Sequence, residues 1–342
     1  GLGDVYKRQG IWTQQDLDNY RVIERKPVTG NYRDARIVSS SLPSSGGIVL
    51  ITMLNILSGY DLDAMPAVQR KQKIIEAMRM AYKDRADFLG DADYVPVDQE
   101  YLLSMEHADK LRSLISDRAI PSDFIADEHY PKGEDTTHFS VIDPEGNRVS
   151  ATLSINYPFG SGLVAAGTGV ILNDEMDDFS ASPGVENNYG LIGSHANAIE
   201  PGKRPLSSMT PTFVERGNDV LVIGTPGGSR IITMVVLAIL EHLHDRGDVS
   251  DWVTTGRYHH QYYPDVVQFE PGALTDAEQK KLTALGYELK QRSSSYGNMH
   301  AVYQDGTYRG LRAASDPRWL GHAEVRALAG GQAPQSESGA AR

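Results

Sequence analysis

The residues best suited to covalent chemistry in this sequence carry hydroxyl groups, because the chain contains no cysteine. A nucleophile must therefore use oxygen or nitrogen, and disulfides and cysteine-ligated zinc or iron–sulfur sites are excluded. The informative segment is residues 135–140, DTTHFS, where an acidic stretch runs directly into a predicted strand. The hydroxyl of Thr136 is a competent nucleophile only if a base removes its proton. The same segment is also typical of an ordinary strand start, since threonine has a high β-propensity.

Other familiar catalytic signatures are absent from the sequence. It contains no G-x-S-x-G elbow, no G-x-x-x-x-G-K-[ST] phosphate loop, no G-x-G-x-x-G fingerprint and no H-E-x-x-H. Two close histidine pairs, His242/His244 and His259-His260, come without a second group of ligands at a recognisable spacing. We interpret them as structural or surface histidines, and we predict neither a metal nor another cofactor.

Length, composition and charge limit the classes of protein that could contain these residues. The 342 residues allow about two ordinary domains or one large one, and 40% hydrophobic with 23% charged residues is typical of a globular enzyme. Lys and Arg number 33 against 45 Asp and Glu, so the sequence predicts no nucleic-acid partner. The longest apolar runs, 46–57 and 234–240, fall short of the ~20 residues that a membrane-spanning helix requires, and no span is predicted.

The predicted elements change character at a linker. Before it, periodicity predicts a short strand at 36–41 and helices at 47–57, 66–89 and 98–115, of which the second is amphipathic with a solvated charged face. Prolines and acidic residues then predict an exposed linker over 117–135. After the linker, short strands alternate with two helices. They are predicted at 137–143, 148–155, 168–173, 211–216 and 219–225, then helices at 229–246 and 275–285, and a final hairpin at 300–304 and 308–313.

Four stretches resemble the γ-glutamyltranspeptidase family, a branch of the N-terminal nucleophile hydrolases. They are DTTHFSVIDPEGNRVSATLSINYPFGSG (135–162), ILNDEMDDFS (171–180), KRPLSSMTPT (203–212) and GTPGGSRIIT (224–233). They follow the family's own order, and the likeness runs from about Ser44 to Pro317. The resemblance implies an α+β fold, a four-layer αββα sandwich. Because the family's part before the cut is far longer than 135 residues, we expect that sandwich to be incomplete on its N-terminal side.

The resemblance also implies that a precursor cuts its own backbone between Asp135 and Thr136. The chain would mature into residues 1–135, the end of a large subunit, and 136–329, a small catalytic subunit, followed by a disordered tail, 330–342. The freed α-amino group has a pKa near ~7.7–8.0 and can reach its own hydroxyl, so it can act as the base. A cut where a linker meets a strand lets the loop side leave while Thr136 stays fixed.

Two more clusters acquire roles by resemblance. Gly227 and Gly228 precede a predicted helix, where backbone N–H groups and the helix dipole favour a developing oxyanion; alone, they are typical of a tight turn. Glu175 and Asp178 would hold the α-ammonium of a γ-glutamyl group with help from Asn156; alone, their run is an ordinary acidic surface loop.

The remaining predicted site residues bind or cover the substrate. Ser207 and Ser208 would donate to its α-carboxylate, although a Ser-Ser pair before Met-Thr-Pro is also an ordinary turn. Tyr189, in the stretch 183–193, matches a lid-loop aromatic that covers the glutamyl pocket in some members of the family.

Three departures from the family pattern stand out. The family's second threonine, which supports the nucleophile, is Ser154 here, so a hydroxyl is retained. The family's Arg that pairs with the substrate carboxylate can be assigned to none of the residues in 1–135. The first ten residues, GLGDVYKRQG, begin without Met or a signal peptide and match nothing in the family, so we expect the chain to be a fragment.

The implied activity is γ-glutamyl transfer or hydrolysis of glutathione and related compounds through a γ-glutamyl ester on Thr136. The family habit implies export to the periplasm or the cell exterior, small-molecule substrates, and a large and a small subunit held together after the cut. Two alternatives stay open. One is an acylase that removes glutaryl side chains from β-lactam nuclei, and the other is a fragment that never cleaves and only binds amino acids or peptides.

Overall fold

The computed structural model describes residues 13–122, 136–182, 184–306 and 310–326. Several predictions therefore lie outside the described residues. They concern the first ten residues, Asp135 with most of the linker, the start of the predicted second strand of the last hairpin at 308–309, and the tail from 330.

Antiparallel strands form the centre of the molecule. The strands are β1 (Val28–Tyr32), β2 (Ala35–Ser39), β3 (Thr136–Ile142), β4 (Arg148–Ser154), β5 (Thr212–Arg216), β6 (Asp219–Gly224), β7 (Tyr258–His259), β8 (Val267–Phe269), β9 (Leu289–Gln291), β10 (His300–Gln304) and β11 (Leu311–Ser315). Six of them build one antiparallel sheet in the order β1-β2-β5-β6-β10-β11. β3 and β4 form a separate hairpin, and β7, β8 and β9 form a small mixed sheet.

Helices cover one face of the six-stranded sheet. The helices are α1 (Gln14–Asn19), α2 (Gly46–Leu57), α3 (Ala67–Phe88), α4 (Gln99–Leu102), α5 (Met105–Leu114), α6 (Ile231–Leu243), α7 (Val249–Thr254) and α8 (Asp276–Ala284). α2 is buried throughout and packs on β1, β2, α3 and α6. No helix among the described residues is long and apolar enough to cross a membrane.

The hairpin covers the opposite face of the sheet. Side chains alternate along a strand: in β6, Leu221 and Ile223 join the helix-side core, whereas Gly224 meets the ring of His138 from β3. A Cβ at position 224 would lie 2.2 Å from that ring, so only glycine allows this approach. The described residues thus form three layers, which are helices, the six-stranded sheet and the hairpin.

The two faces of the hairpin differ in chemistry. On the inner face, the His138 ring is bonded to Thr152 Oγ1 at 2.8 Å and to Ser140 Oγ at 3.0 Å. Burial lowers the pKa of His138 to about 3, so the ring is neutral. The outer face is apolar, and no described helix covers it. Its four large side chains expose between 44% and 53% of their surface: Phe139, Val141, Val149 and Leu153.

The predicted elements agree with the structure except at four places. The strand at 168–173 is wrong, because this segment makes only one isolated bridge, Val164 to Ile171. The helix at 229–246 is shorter: a 3₁₀ turn, Gly228–Arg230, takes up its first residues, and α6 ends at Leu243. The helix at 98–115 is two helices, capped by Asp98 and Ser104.

The fourth difference concerns α3, whose charged side chains are buried rather than solvated. Glu76 is 0% exposed and accepts a hydrogen bond from Tyr287, and the buried Arg79 pairs with Asp265 at 2.6 Å. Arg79 also donates to Ser122, near the end of the first described segment, at 2.8 Å. Buried charges need such partners. Ser122, Asp265 and Tyr287 are these partners. They are distant from α3 in sequence, so helical periodicity could not reveal them.

Candidate active site

Thr136 begins β3 and lies directly opposite Ser154, the last residue of β4. Their hydroxyl oxygens are 3.1 Å apart, within hydrogen-bond distance. Seven residue pairs hold this register along the hairpin, so the Thr136 hydroxyl is fixed at one end of a rigid element. Thr136 therefore lies at the start of a strand with the Ser154 hydroxyl beside it, as the sequence analysis expects.

Asn156 turns the chain immediately after β4. Its φ of +74° lies in the left-handed region, which asparagine tolerates better than most residues. Its backbone N–H donates to Ser154 Oγ at 2.9 Å, and its Nδ2 donates to the Asp174 carbonyl at 3.2 Å. Asn156 thus ties the supporting hydroxyl of Ser154 to the acidic segment that follows.

Glu175 and Asp178 lie on a 3₁₀ turn, Glu175–Asp178, and their carboxyl groups are hydrogen-bonded to each other. Burial, followed by the repulsion of Glu175, raises the pKa of Asp178 to about 8. Burial also raises the pKa of Glu175, against a hydrogen bond from Ser154. Two carboxyls in contact must hold a proton between them unless a cation neutralises the pair. The pair is therefore suited to receive an ammonium group.

Gly227 and Gly228 form the sharp turn between β6 and α6. Both have positive φ, at +144° and +58°. A Cβ on residue 228 would lie 2.4 Å from the ring of Tyr189, so glycine is required by the close approach of this aromatic. Gly228 lines the pocket beside Thr136, whereas Gly227 lies one residue behind it and is not among the lining residues.

Tyr189 closes one side of the pocket. Its hydroxyl donates to the Asn156 carbonyl at 3.1 Å, and its ring stacks on Tyr157 with centroids 5.2 Å apart. The side chain of Gln261 makes two hydrogen bonds beside the pocket. Its Nε2 donates to the Tyr189 carbonyl at 3.0 Å, and its Oε1 accepts from the Ser229 hydroxyl at 2.8 Å. The lid aromatic and the glycine turn are therefore joined by one amide side chain.

Ser207 and Ser208 form a further part of the pocket lining, which we call the serine end. The backbone of Ser207 bridges to the segment that precedes α2, where it donates to the Pro43 carbonyl at 2.9 Å and accepts from the Ser45 N–H at 2.8 Å. The buried Ser208 hydroxyl accepts a hydrogen bond from Arg85 Nη2 at 3.2 Å. The two serines are thus held by the N-terminal part of the chain.

One pocket gathers nine of the ten predicted site residues, all except Gly227. Its lining residues are Thr136, Ser154, Asn156, Glu175, Asp178, Tyr189, Leu191, Ser207, Ser208, Met209, Gly228, Ser229 and Ile231. The lining combines the two acidic side chains, Glu175 and Asp178, with serine hydroxyls, one of which accepts a hydrogen bond from a guanidinium. This arrangement matches the ammonium and the carboxylate of an amino-acid head group, with a hydroxyl nucleophile within the same pocket. The roles of the individual residues stay predictions.

Two residues of this region were not identified from the sequence, Arg85 and Gln261. A signal for Arg85 does exist, since it continues the apolar stripe of Met78 and Tyr82 at helical spacing and so points to the core. Gln261 follows the pair His259-His260, and nothing in its spacing indicates a contact with residues 189 and 229.

Comparison of the sequence with protein families matches residues 2–325 to γ-glutamyltranspeptidase. The match is longer than the predicted likeness from Ser44 to Pro317, and the expectation that the first residues match nothing in the family is wrong from residue 2 onward. The glutathione hydrolase proenzyme of Pseudomonas sp. (strain A14) is 44% identical over 288 residues, 82% of this chain and 50% of that protein. The glutathione hydrolase proenzyme of Escherichia coli (strain K12) is 41% identical over 323 residues, 92% of this chain and 55% of that protein. The chain spans about half the length of the curated relatives it matches.

Solved structures extend the likeness to the fold. The γ-glutamyltranspeptidase from Pseudomonas nitroreducens complexed with L-DON has 45% identity and a TM-score of 0.53, covering 56% of this chain and 100% of that one. The cephalosporin acylase from Bacillus halodurans has 25% identity and a TM-score of 0.79, covering 94% of this chain and 58% of that one. The predicted α+β class and N-terminal nucleophile hydrolase fold are confirmed.

Proposed function

The chain belongs to the γ-glutamyltranspeptidase family, and we propose that it cleaves itself before Thr136 and then transfers the γ-glutamyl group of glutathione-like donors. The observation that carries this proposal is that Thr136 lines the same pocket as the Glu175–Asp178 pair and the two serines, Ser207 and Ser208. The chemistry of this lining suits a donor whose amino-acid head group is bound by its two charges while its side-chain amide reaches the hydroxyl.

The proposed first reaction is the cleavage itself. Thr136 Oγ1 attacks the carbonyl carbon of Asp135, the peptide C–N bond breaks, and the nitrogen takes a proton to become a free α-amine. Water then hydrolyses the resulting ester and restores the hydroxyl. The Ser154 hydroxyl, 3.1 Å from Thr136 Oγ1, supports the nucleophile before and after the cut. The two products, 1–135 and 136–342, remain together as a heterodimer.

Donor turnover follows the same chemistry. The neutral α-amine of Thr136 accepts the hydroxyl proton as Oγ1 attacks the γ-amide carbonyl of the donor. N–H groups of the turn at Gly227 and Gly228 stabilise the oxyanion of the tetrahedral intermediate. The leaving amine takes the proton, and a γ-glutamyl ester remains on Thr136. Water or the amine of an amino acid then resolves the ester.

The binding roles follow from charge. The α-ammonium of the donor would displace the proton held between Glu175 and Asp178, with the Asn156 side chain beside them. The hydroxyls of Ser207 and Ser208 would donate to the α-carboxylate. Tyr189 would close the pocket over the bound group, held by its hydrogen bond to the Asn156 carbonyl. From the family resemblance, we propose that the protein works in the periplasm or outside the cell.

A glutaryl acylase is the second candidate, supported by the structural likeness to the cephalosporin acylase. The acidic pair argues against it. A glutaryl group carries no α-ammonium, so it would leave the half-buried Glu175–Asp178 pair without a cation. Turnover of γ-glutamyl anilide and of glutaryl anilide by the same preparation separates the two activities. Faster turnover of the glutaryl compound would favour the acylase.

The proposal is tested with the full-length gene product beside its Thr136→Ala variant. We expect the parent to give two bands on a denaturing gel, with a new N-terminus at Thr136, and to release the chromogenic amine from a γ-glutamyl anilide. Thr136→Ala should give one band and at least about 1,000-fold slower release. Thr137→Ala is the matched control, because this exposed neighbour points away from the pocket, and it should cleave and turn over.

Two results would contradict the proposal. Cleavage of the Thr136→Ala variant at the same bond would remove Thr136 as the nucleophile of processing. A parent protein that stays a single chain and releases no amine would support the alternative of a non-processing fragment that only binds amino acids or peptides.

A further inference from the structure

Arg85 lies in the last turn of α3, directly behind the serine end of the pocket. Its side chain is buried, at 4% exposure, and donates three hydrogen bonds. Nε donates to Ser45 Oγ at 3.0 Å, while Nη2 donates to the Leu206 carbonyl at 3.3 Å and to Ser208 Oγ at 3.2 Å. All three acceptors are neutral, so they orient the guanidinium without balancing its charge.

No carboxylate among the described residues lies within ion-pair distance of Arg85. Two other buried arginines are different: Arg79 pairs with Asp265 at 2.6 Å, and Arg257 pairs with Asp316. Burial lowers the pKa of Arg85, and Tyr82 and Asp178 oppose this lowering electrostatically. A buried cation without an anionic partner lowers the stability of a protein. Such a cation is expected where a bound anionic ligand pairs with it.

Ser208 links Arg85 to the pocket. Its Oγ accepts from Arg85, so the hydroxyl proton is free to point elsewhere, and no group among residues 13–122, 136–182, 184–306 and 310–326 is seen to accept it. Ser208 lines the pocket that holds Thr136. A hydroxyl that accepts from a cation is a stronger donor than an isolated one, because the two hydrogen bonds polarise each other.

We propose that Arg85 is a positioning residue for the donor's α-carboxylate: it aims the Ser208 hydroxyl into the pocket and supplies the buried positive charge that the carboxylate balances. This inference rests on the proposed function and assigns a cation to the serine end of the pocket. The ammonium end is served by Glu175 and Asp178. The carboxylate contacts Ser208, and Arg85 acts on it through that hydroxyl and through its field.

The test compares two donors that differ only in the carboxylate. γ-Glutamyl anilide carries both charges of the head group, whereas 4-aminobutyryl anilide keeps the ammonium and lacks the α-carboxylate. Selectivity is the ratio of kcat/KM for the first donor to that for the second, measured on the full-length gene product. Partial misfolding lowers both values equally and leaves this ratio unchanged.

We expect Arg85→Met to lower the selectivity ratio about 10- to 100-fold, mostly through a higher KM for γ-glutamyl anilide, because charge-assisted recognition of the carboxylate is lost. Ser208→Ala should lower it too, and Arg85→Met should add little on the Ser208→Ala background. Arg112→Met is the matched control. Arg112 also donates to neutral carbonyls, those of Asn55 and Ile56, and it pairs with Asp109; because it lies away from the pocket, the ratio should stay unchanged.

Arg85→Gln covers the case in which Arg85→Met does not fold. Glutamine keeps an amide donor and removes the charge, so the ratio should still fall. A ratio unchanged within about twofold in Arg85→Gln or Arg85→Met, with an active parent, overturns the role of Arg85. A parent that releases amine from neither donor overturns the proposed function instead, so the two failures are distinguishable.

Discussion

Two of the regions that bury an arginine differ in how the charge of its side chain is balanced. Near the C-terminal end of the described chain, Arg257, which is 0% exposed, pairs with Asp316, and Arg318 donates to Glu270 at 2.9 Å and to Asp316 at 3.1 Å. Two guanidinium groups and two carboxylates balance in this cluster. At the pocket, Arg85 has only neutral hydrogen-bond acceptors among the described residues, and Asp178, which acts on it electrostatically, forms no ion pair with it.

The comparison indicates that the charge of Arg257 stabilises the fold, whereas the charge of Arg85 is available for binding a ligand. The C-terminal cluster is complete by itself, and it ties β11 to the end of α7 through bonds from Arg257 and Arg318 to the Val253 and Thr254 carbonyls. At the pocket, no ion pair among the described residues joins Arg85 to Glu175 or Asp178. A ligand with an ammonium and a carboxylate would balance the charges of both groups at once.

The largest expected effect lies in the balanced cluster. Arg257→Met leaves Asp316 buried with one guanidinium instead of two, and we expect it to lower the free energy of unfolding by about 3–5 kcal/mol. Arg85→Met leaves only neutral acceptors unpaired and should cost about 1–3 kcal/mol. Denaturant unfolding of both variants measures the two losses. Equal losses would erase the distinction between the two regions.

The next effect concerns the acidic end of the pocket. Asp178→Asn removes one charge of the proposed ammonium site, and KM for γ-glutamyl anilide should rise about 10- to 100-fold. Self-cleavage should persist, because no ammonium contacts Asp178 during processing. Steady-state kinetics and a denaturing gel on one preparation measure both. An unchanged KM would remove Asp178 from substrate binding.

A smaller effect is the pH dependence of stability that arises from Asp178. Its pKa of about 8 in the folded protein exceeds the ordinary value of 3.8, so the folded state binds the extra proton between these values. Its contribution to stability is full below pH ~4 and is lost as the pH rises through about 8. Glu175 and Asp177 raise this pKa, and Arg85 opposes them.

Unfolding measured at pH 5 and pH 9 tests this dependence. The free energy of unfolding of Asp178→Asn minus that of the parent should be larger at pH 9 than at pH 5, because asparagine does not titrate. The same difference at both pH values would show that no raised carboxyl pKa exists at this position.

The smallest expected effect is that of Tyr189→Phe. The ring and its stacking on Tyr157 remain, and only the hydrogen bond to the Asn156 carbonyl is lost. One neutral hydrogen bond corresponds to a fall in kcat/KM for γ-glutamyl anilide of about 2- to 10-fold. Tyr189→Ala should lose more, since it also opens the pocket wall. If the two variants were equally impaired, the hydroxyl rather than the ring would be the important group.

Much of the fold could be predicted from local pattern. The hairpin at 137–143 and 148–155 is observed at Thr136–Ile142 and Arg148–Ser154, because alternation and the turn at 144–147 specify both strands. The strand at 168–173 fails for the complementary reason. Val170 and Ile171 have high β-propensity, but neither they nor Leu172 pair with a strand in the part of the chain that the structure describes, and all three remain exposed.

The site residues that lie in the family's motifs could be named from the sequence. Arg85 lies outside these motifs and could not. A charged residue on a helix is ordinarily solvated, and only the fold reveals that the segment around Ser208 packs over α3. The predicted carboxyl pair was visible from the run at 174–178. Its mutual hydrogen bond depends on the 3₁₀ turn that brings the two side chains together.

The most direct test of the account is the intact mass of the full-length gene product, taken before and during turnover of a γ-glutamyl donor with rapid acid quenching. We predict two chains, the smaller one beginning at Thr136, and a transient gain on that chain equal to one γ-glutamyl group. An unbroken chain that nonetheless consumes the donor, or a γ-glutamyl adduct on any other residue, would contradict it.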